Sequence, residues 1–169
     1  MQAAEPRLRP ADWAMPVISD HLHNWYKVDD RVYRSEQPDA EGMADLEAMG
    51  IRRVLSLREF HGDAEAVSKT HLQSFRIPID TWHITDDEVV QALRIILASD
   101  APILVHCWHG SDRTGTVIAM YRIVVQGWSR AAAIDELVHG GYHYHSMYGN
   151  IITYLEHVDI DAIRQRLKE

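Results

Sequence analysis

The stretch His106-Cys107-Trp108-His109-Gly110-Ser111-Asp112-Arg113-Thr114-Gly115 holds the chain's single cysteine, with five residues between it and Arg113. An apolar run, Ile103-Leu104-Val105, leads into it, and a second, Thr116-Val117-Ile118-Ala119-Met120, leads away. The pattern predicts a strand, a tight loop and a helix start. A thiol then sits at the loop entrance and a guanidinium at its exit. A cysteine attacks as the thiolate, and a free thiol has a pKa of about 8.5. The helix start turns unpaired N–H groups and its positive dipole end toward the loop. Gly110 frees successive loop N–H groups to form an anion-binding nest. Arg113 suits a bidentate grip on two phosphate oxygens. Together these groups stabilise a Cys107 thiolate or a phosphate dianion. The chemistry they allow is covalent catalysis in two steps, with Cys107 phosphorylated and then freed by water. In this reading the phosphate cradle is the backbone N–H groups of Trp108, His109, Gly110, Ser111, Asp112 and Arg113. Thr114 offers its hydroxyl to the departing sulfur, and His106 shapes the loop by hydrogen bonds. A buried structural cysteine is the plain alternative. Cysteine, glycine, arginine and threonine at fixed offsets between a strand and a helix argue against it.

The segment His106-Cys107-x-x-Gly110-x-x-Arg113-Thr114-Gly115 resembles the signature of the cysteine-based protein tyrosine phosphatase superfamily. Asp30-Arg31-Val32-Tyr33-Arg34-Ser35-Glu36-Gln37-Pro38 is similar to the first core strand and turn of its small dual-specificity-type branch, and Gly50-Ile51-Arg52-Arg53-Val54-Leu55-Ser56-Leu57 to the next strand. Ala119 to Trp128 resembles bacterial periplasmic dual-specificity-type tyrosine phosphatases most. The likeness runs from about His23 to about Leu167. It implies an α/β fold, with a central mostly parallel sheet flanked by helices, and removal of phosphate from phosphotyrosine in proteins, with phosphoserine and phosphothreonine as further substrates. It implies no cofactor and no metal. The expected partners are a phosphorylated protein and a phosphate ion in the loop, and the chain is expected to act as a monomer.

A chain of 169 residues is long enough for one domain with a real core. Its 46% apolar and 25% charged composition is that of an ordinary globular protein. A formal charge of −8 argues against general nucleic-acid binding. No apolar run reaches the roughly eighteen residues of a membrane span. A lone cysteine leaves no internal disulfide and does not decide the redox compartment. Met1 to Pro6 lacks the apolar core of a signal peptide, or is a mature end after one was removed. The resemblance favours the periplasm, with the cytoplasm as the alternative.

Residues 1–20, with Pro6, Pro10 and Pro16, read as an extended arm, and residues 21–169 as a single catalytic domain. A helix with Met43, Leu46 and Met49 on one face stops at Gly50. Arg53 to Leu57 and Gln73 to Ile77 read as strands, with the polar segment Arg58 to Ser68 between them part helical. Asp86-Asp87-Glu88 opens a helix to about Ala98, with Val89, Leu93, Ile96 and Leu97 inward. Helices follow over Arg113 to Gln126, Arg130 to His139, Tyr148 to His157 and Ile160 to Leu167. The alternation places the cysteine loop at the carboxyl end of a strand, where such sheets bind ligands.

Ester cleavage also needs a proton for the leaving oxygen. The family supplies it from an aspartate a few tens of residues before the cysteine, and Asp80 lies 27 positions before Cys107. A gapless match anchored on Pro78 puts Trp82 at the acid's place instead. Asp112 is the rival, since thiolate and phosphate charge around it would favour its protonated form. Asp86 and Asp87 read as helix-start acids. Eleven histidines invite a metal reading, but His21-x-His23 and His143-x-His145 have strand-like spacing and lack a helix-spaced pair with a carboxylate. His109 lies at the pocket rim, and Trp108 is a pocket wall or a core anchor. Trp82, His83, Tyr142, Tyr144 and Tyr148 offer rings to a substrate or pack the fold. Three alternatives stand beside the protein phosphatase: an inositol phosphate or phosphoinositide phosphatase, a phosphotyrosine-binding module without turnover, and a sulfur-transfer domain.

Overall fold

A computed structural model describes residues 8–169. The alternation read from the sequence becomes two short strands, β1 (Met15–Pro16) and β2 (Tyr26–Lys27), then β3 (Val32–Ser35), α1 (Ala40–Met49), β4 (Arg53–Ser56) and β5 (Gln73–Arg76). The remaining elements are α2 (Asp86–Ala98), β6 (Ile103–His106), α3 (Arg113–Val124), α4 (Arg130–His139), α5 (Gly149–His157) and α6 (Ile160–Leu167). The sheet order is β1-β2-β3-β6-β4-β5. The last four strands pair in parallel, and β1 and β2 extend the β3 edge antiparallel. The fold is the α/β arrangement expected, a mostly parallel sheet with six helices.

β6 sits between β3 and β4, with His106 level with Ser35 on one side and Ser56 on the other. All four β6 residues are buried, as a parallel strand covered on both faces requires. The two-residue period sends Ile103 and Val105 into the larger core with α2 and α3, and Leu104 into a smaller one with Met43 and Leu46 of α1. The carboxyl edge of β6 therefore delivers Cys107 to the crevice above the sheet with little freedom in position.

Caps set the helix limits. The Asp39 carboxylate accepts from Gly42 N, and Gly50 closes α1 in the left-handed region at φ 103°. Thr85 and Glu88 form a capping box on α2. Asp86 accepts from Tyr154 Oη and Asp87 from Arg166, so both helix-start acids serve the packing of the last helices. Two local expectations are corrected. Residues 58–68 form turns rather than a helix, because Asp63 turns its side chain inward and Thr70 closes the segment back on Val67 O. Leu97 is on the exposed side of α2, and Val90 and Ala92 face the core instead. Of the two readings of Tyr142 the structure bears out packing, since the ring is buried against Tyr26. The described part of the N-terminal segment is held by Arg9, which donates to Ala14 O, Gly140 O and Tyr142 Oη. Pro6 lies outside the described residues.

Candidate active site

Between β6 and α3 the chain makes one tight loop, and its carbonyls are all tied outward. Cys107 O accepts from His106 Nδ1 at 2.9 Å, and Trp108 O from Gln37 N at 2.9 Å. His109 O accepts from Asn24 Nδ2 at 2.9 Å and Gly110 O from Arg34 Nη2 at 2.9 Å. Ser111 O and Asp112 O accept from Gly115 N and Thr116 N in the first turn of α3. A peptide whose carbonyl faces out presents its N–H inward. Among the described residues, no backbone N–H from Trp108 to Asp112 has an acceptor. Such a ring of unpartnered donors is an anion nest. Gly110 makes the turn possible. Its φ is +77°, and a Cβ there would stand 2.4 Å from Ser35 O.

Cys107 lies at the floor of a cavity of about 270 Å³. It is 3% exposed, whereas Trp108 and Met147, which line the same cavity, are 59% and 62% exposed. Trp108 is thus a wall and not a core anchor. Arg113 lines the same cavity and donates from Nη1 to Ile79 O at 3.2 Å, which ties the signature loop to the start of the Asp80 segment. The Thr114 hydroxyl is buried and has no partner. Ser111 turns its hydroxyl away, to Tyr142 O at 2.6 Å, so only its backbone faces the nest.

His106 stands between two acceptors, with Nδ1 on Cys107 O and Nε2 on Asp63 Oδ2 at 2.5 Å. Asp63 also accepts from Gln37 Nε2 at 2.9 Å, and Gln37 Oε1 accepts from Arg58, whose guanidinium lies 4.3 Å from the Trp108 ring centroid. Burial would push the Asp63 carboxyl up, but the His106 hydrogen bond and charge, with Gln37, hold it below the usual carboxylate value. The network locks the first half of the loop from behind.

The two acid candidates are placed differently. Asp112 lines the cavity, and both of its oxygens are taken by His145, Oδ1 by the backbone N–H at 2.9 Å and Oδ2 by Nδ1 at 2.6 Å. Asp80 is not among the cavity-lining residues; Thr81 beside it is. Its carboxylate accepts from Trp82 N at 2.9 Å and faces His83 Nδ1 at 3.2 Å. The Trp82 N–H bond above all, with His83 and the Arg113 charge, keeps it below the ordinary aspartate value against the opposing effect of desolvation. Trp82 rests on Tyr148 at 4.6 Å between ring centroids, and Asn150 Nδ2 donates to Thr81 O. The acid-bearing segment thus leans on α5 and the residues before it.

Of the other histidines, His21 pairs with Asp45 and Glu41, and His109 faces His145 at 5.4 Å between centroids. Among the described residues, no three His, Cys, Asp or Glu side chains gather as a metal site. Sequence reasoning missed Arg34, Asp63, Gln37, Arg58 and His145. One signal existed for Arg34: a charged residue two positions from Val32 on a central strand shares the buried face.

The nest, the buried thiol and the arginine at its exit are the parts a cysteine-dependent phosphatase site needs. The chain belongs to the tyrosine phosphatase family, whose pattern it matches over residues 21–168. It is 34% identical over 158 residues to the dual specificity protein phosphatase TpbA of Pseudomonas aeruginosa, covering 92% of this chain and 71% of that protein. A crystal structure of a TpbA cysteine-to-serine variant in complex with pTyr superposes with a TM-score of 0.85 at 31% identity, covering 96% of this chain and 99% of that one. An inositol diphosphatase of Oryza sativa, DSP1, is 32% identical over 122 residues, covering 67% of this chain and 54% of that protein. No helix among the described residues is long and apolar enough to cross a membrane.

Proposed function

We propose that this protein removes phosphate from phosphotyrosine in proteins, and from phosphoserine and phosphothreonine, through a cysteinyl-phosphate intermediate. The observation that carries the reading is the set of outward-tied carbonyls around Cys107, which leaves five consecutive N–H groups without acceptors above a buried thiol. Trp108, Tyr148 and the imidazoles of His109 and His145 wall the cavity above that floor, which suits a planar aryl ester. TpbA, whose variant is known with pTyr bound, supports the same substrate class.

In this mechanism the Cys107 thiolate attacks phosphorus as the bond to the tyrosyl oxygen breaks. Asp80 gives that oxygen its proton. Water then attacks phosphorus, Asp80 takes its proton, and the thiolate departs with a hydrogen bond from the otherwise unpartnered Thr114 hydroxyl. Arg113 and the loop N–H groups hold the equatorial oxygens throughout. Both aspartates have both oxygens engaged; Asp80 is preferred because its contacts are exposed and readily exchanged, whereas Asp112 is buried and holds the segment of His145 in place. Asp80 must leave Trp82 N and His83 to reach the ester, so the Asp80 segment moves on binding.

The test is hydrolysis of a phosphotyrosyl peptide and an aryl phosphate by the full chain in excess chelator. We expect turnover that Cys107→Ser abolishes. Turnover that needs added metal, or faster turnover of an inositol polyphosphate than of the peptide, overturns the reading. We further propose that residues 21–169 act as one catalytic unit, as a monomer, and in the periplasm, in keeping with the exported enzymes the chain resembles. Sedimentation and cell fractionation test the last two.

A further inference from the structure

Beneath the phosphate loop lies a cation that the signature does not contain. Arg34 on β3 is 1% exposed and among the largest fully buried side chains. Its Nη2 holds Gly110 O, and its guanidinium carbon lies 3.6 Å from the centroid of the Tyr142 ring. Its Nε has no partner. Among the described residues, no carboxylate stands within ion-pair distance of it. Glu136, the acid in the same region, is already committed to Arg122 Nε at 2.9 Å and Nη2 at 3.2 Å, to Ala14 N and to Tyr142 Oη.

A buried charge without a counter-ion is strongly unfavourable, and a guanidinium does not escape by losing its proton. Burial works against the Arg34 cation; Tyr142, Glu136 and then Cys107 as thiolate work for it, with Arg122 opposing. Glu136 is shared between Arg122 and Arg34, so the Arg34 charge is only partly balanced from behind, and an anion on the other side of the loop completes the balance. Arg113 reaches that anion from the rim; Arg34 faces it through the Gly110 peptide.

We propose that Arg34 is a positioning residue of the phosphatase site, whose partly balanced charge favours the Cys107 thiolate and the bound phosphate dianion while its Nη2 turns the Gly110 carbonyl outward. The proposal rests on the phosphatase reading above. It assigns a task to a side chain that touches neither substrate nor thiol. A lysine at this position retains the charge but not the fork that reaches Gly110 O and stacks on Tyr142 at once.

The experiment compares the full wild-type chain with Arg34→Met and Arg34→Lys. It measures the pH dependence of Cys107 alkylation by iodoacetamide and competitive inhibition by inorganic phosphate. The alkylation midpoint of Arg34→Met should move up by about one pH unit, and phosphate should bind about tenfold more weakly. Arg34→Lys should keep a midpoint within a few tenths of wild type. An unmoved midpoint with unchanged phosphate inhibition in Arg34→Met overturns the proposal and leaves Arg34 a packing residue. A midpoint in Arg34→Lys as high as in Arg34→Met overturns the charge argument. Should Arg34→Met not fold, Arg34→Lys decides alone: an unmoved midpoint supports the proposal, and a raised one overturns it. Failure of the phosphatase reading looks different, because the wild-type chain would then fail to hydrolyse an aryl phosphate whatever the Arg34 variants do.

Discussion

The phosphate loop and the Asp80 segment face the same cavity but are built in opposite ways. The loop is fastened from behind by the buried Arg34 under Gly110 and the buried Asp63 behind His106, with half-buried Gln37 against Trp108 and an exposed Asn24 contact on His109 O. The Asp80 segment is fastened by exposed contacts, a Trp82 N–H, a His83 ring and the Trp82 face on Tyr148. Buried hydrogen bonds in a low-dielectric setting fix geometry in advance, which electrostatic stabilisation of a transition state needs. Exposed contacts are weak and readily exchanged, which a group that must swing onto the substrate needs. In the proposed mechanism, nucleophile and proton donor therefore come from the rigid and the movable side of one cleft.

That contrast can be broken at several points. Cys107→Ser should lower turnover of an aryl phosphate by about 10⁴-fold or more while leaving phosphate binding measurable by calorimetry. Arg113→Lys should lower kcat by about 10²–10³-fold, since one donor cannot replace a two-pronged grip. Asp80→Asn should lower kcat by about 10²–10⁴-fold on a poor leaving group and flatten the basic limb of the pH–rate profile. The sign follows from the role, because a donor must be protonated and its fraction falls as pH rises. With Asp80 held below the usual carboxylate value in the free protein, the wild-type kcat/KM optimum should lie on the acid side of neutrality. Asp112→Asn should leave both limbs standing and cost less; a lost basic limb there would reverse the assignment.

The buried side of the contrast has a stability signature. Glu136→Gln leaves Arg122 without its buried counter-charge and should cost about 3–5 kcal/mol in urea unfolding. Burial would raise the Glu136 carboxyl, but the Arg122 hydrogen bond and charge, with Ala14 N and Tyr142 Oη, bring it below its ordinary value. Its contribution is thus present above the ordinary glutamate pKa and is lost as pH falls through the lower folded value. The penalty of the variant should accordingly shrink in acid. The smallest effect belongs to the mouth. Trp82→Ala should raise KM for a phosphotyrosyl peptide by about threefold to tenfold with the fold intact. A collapse in stability would show instead that Trp82 on Tyr148 is structural.

Much of the fold was legible because its signals are local. Gly50, Ser129 and the acids at Asp86 mark helix ends by chemistry that acts within one turn, and the apolar run into Cys107 marks a strand covered on both faces. The segment 58–68 was misread because Asp63 answers to a partner 43 positions away, and no local rule contains that distance. Leu97 failed in a milder way, as a face drawn from spacing alone was turned by about one residue.

By itself, the sequence determined the strand, the loop that carries Cys107 and Arg113, and the glycine of its turn, since strand, loop and helix start are consecutive and their geometry is fixed by neighbours in the chain. Only the tertiary structure decided what holds the loop open: Gln37 and Asn24 on its carbonyls, Asp63 behind His106, and Arg34 below Gly110. These groups lie between 43 and 85 positions away or on other strands, and they meet the loop because parallel strands bring distant carboxyl ends to one edge. The same physics separates the two aspartates. Asp112 is placed by the loop's own turn, whereas whether Asp80 faces the substrate depends on how its segment leans on Tyr148 and Asn150, a contact that exists only once the last helices have packed.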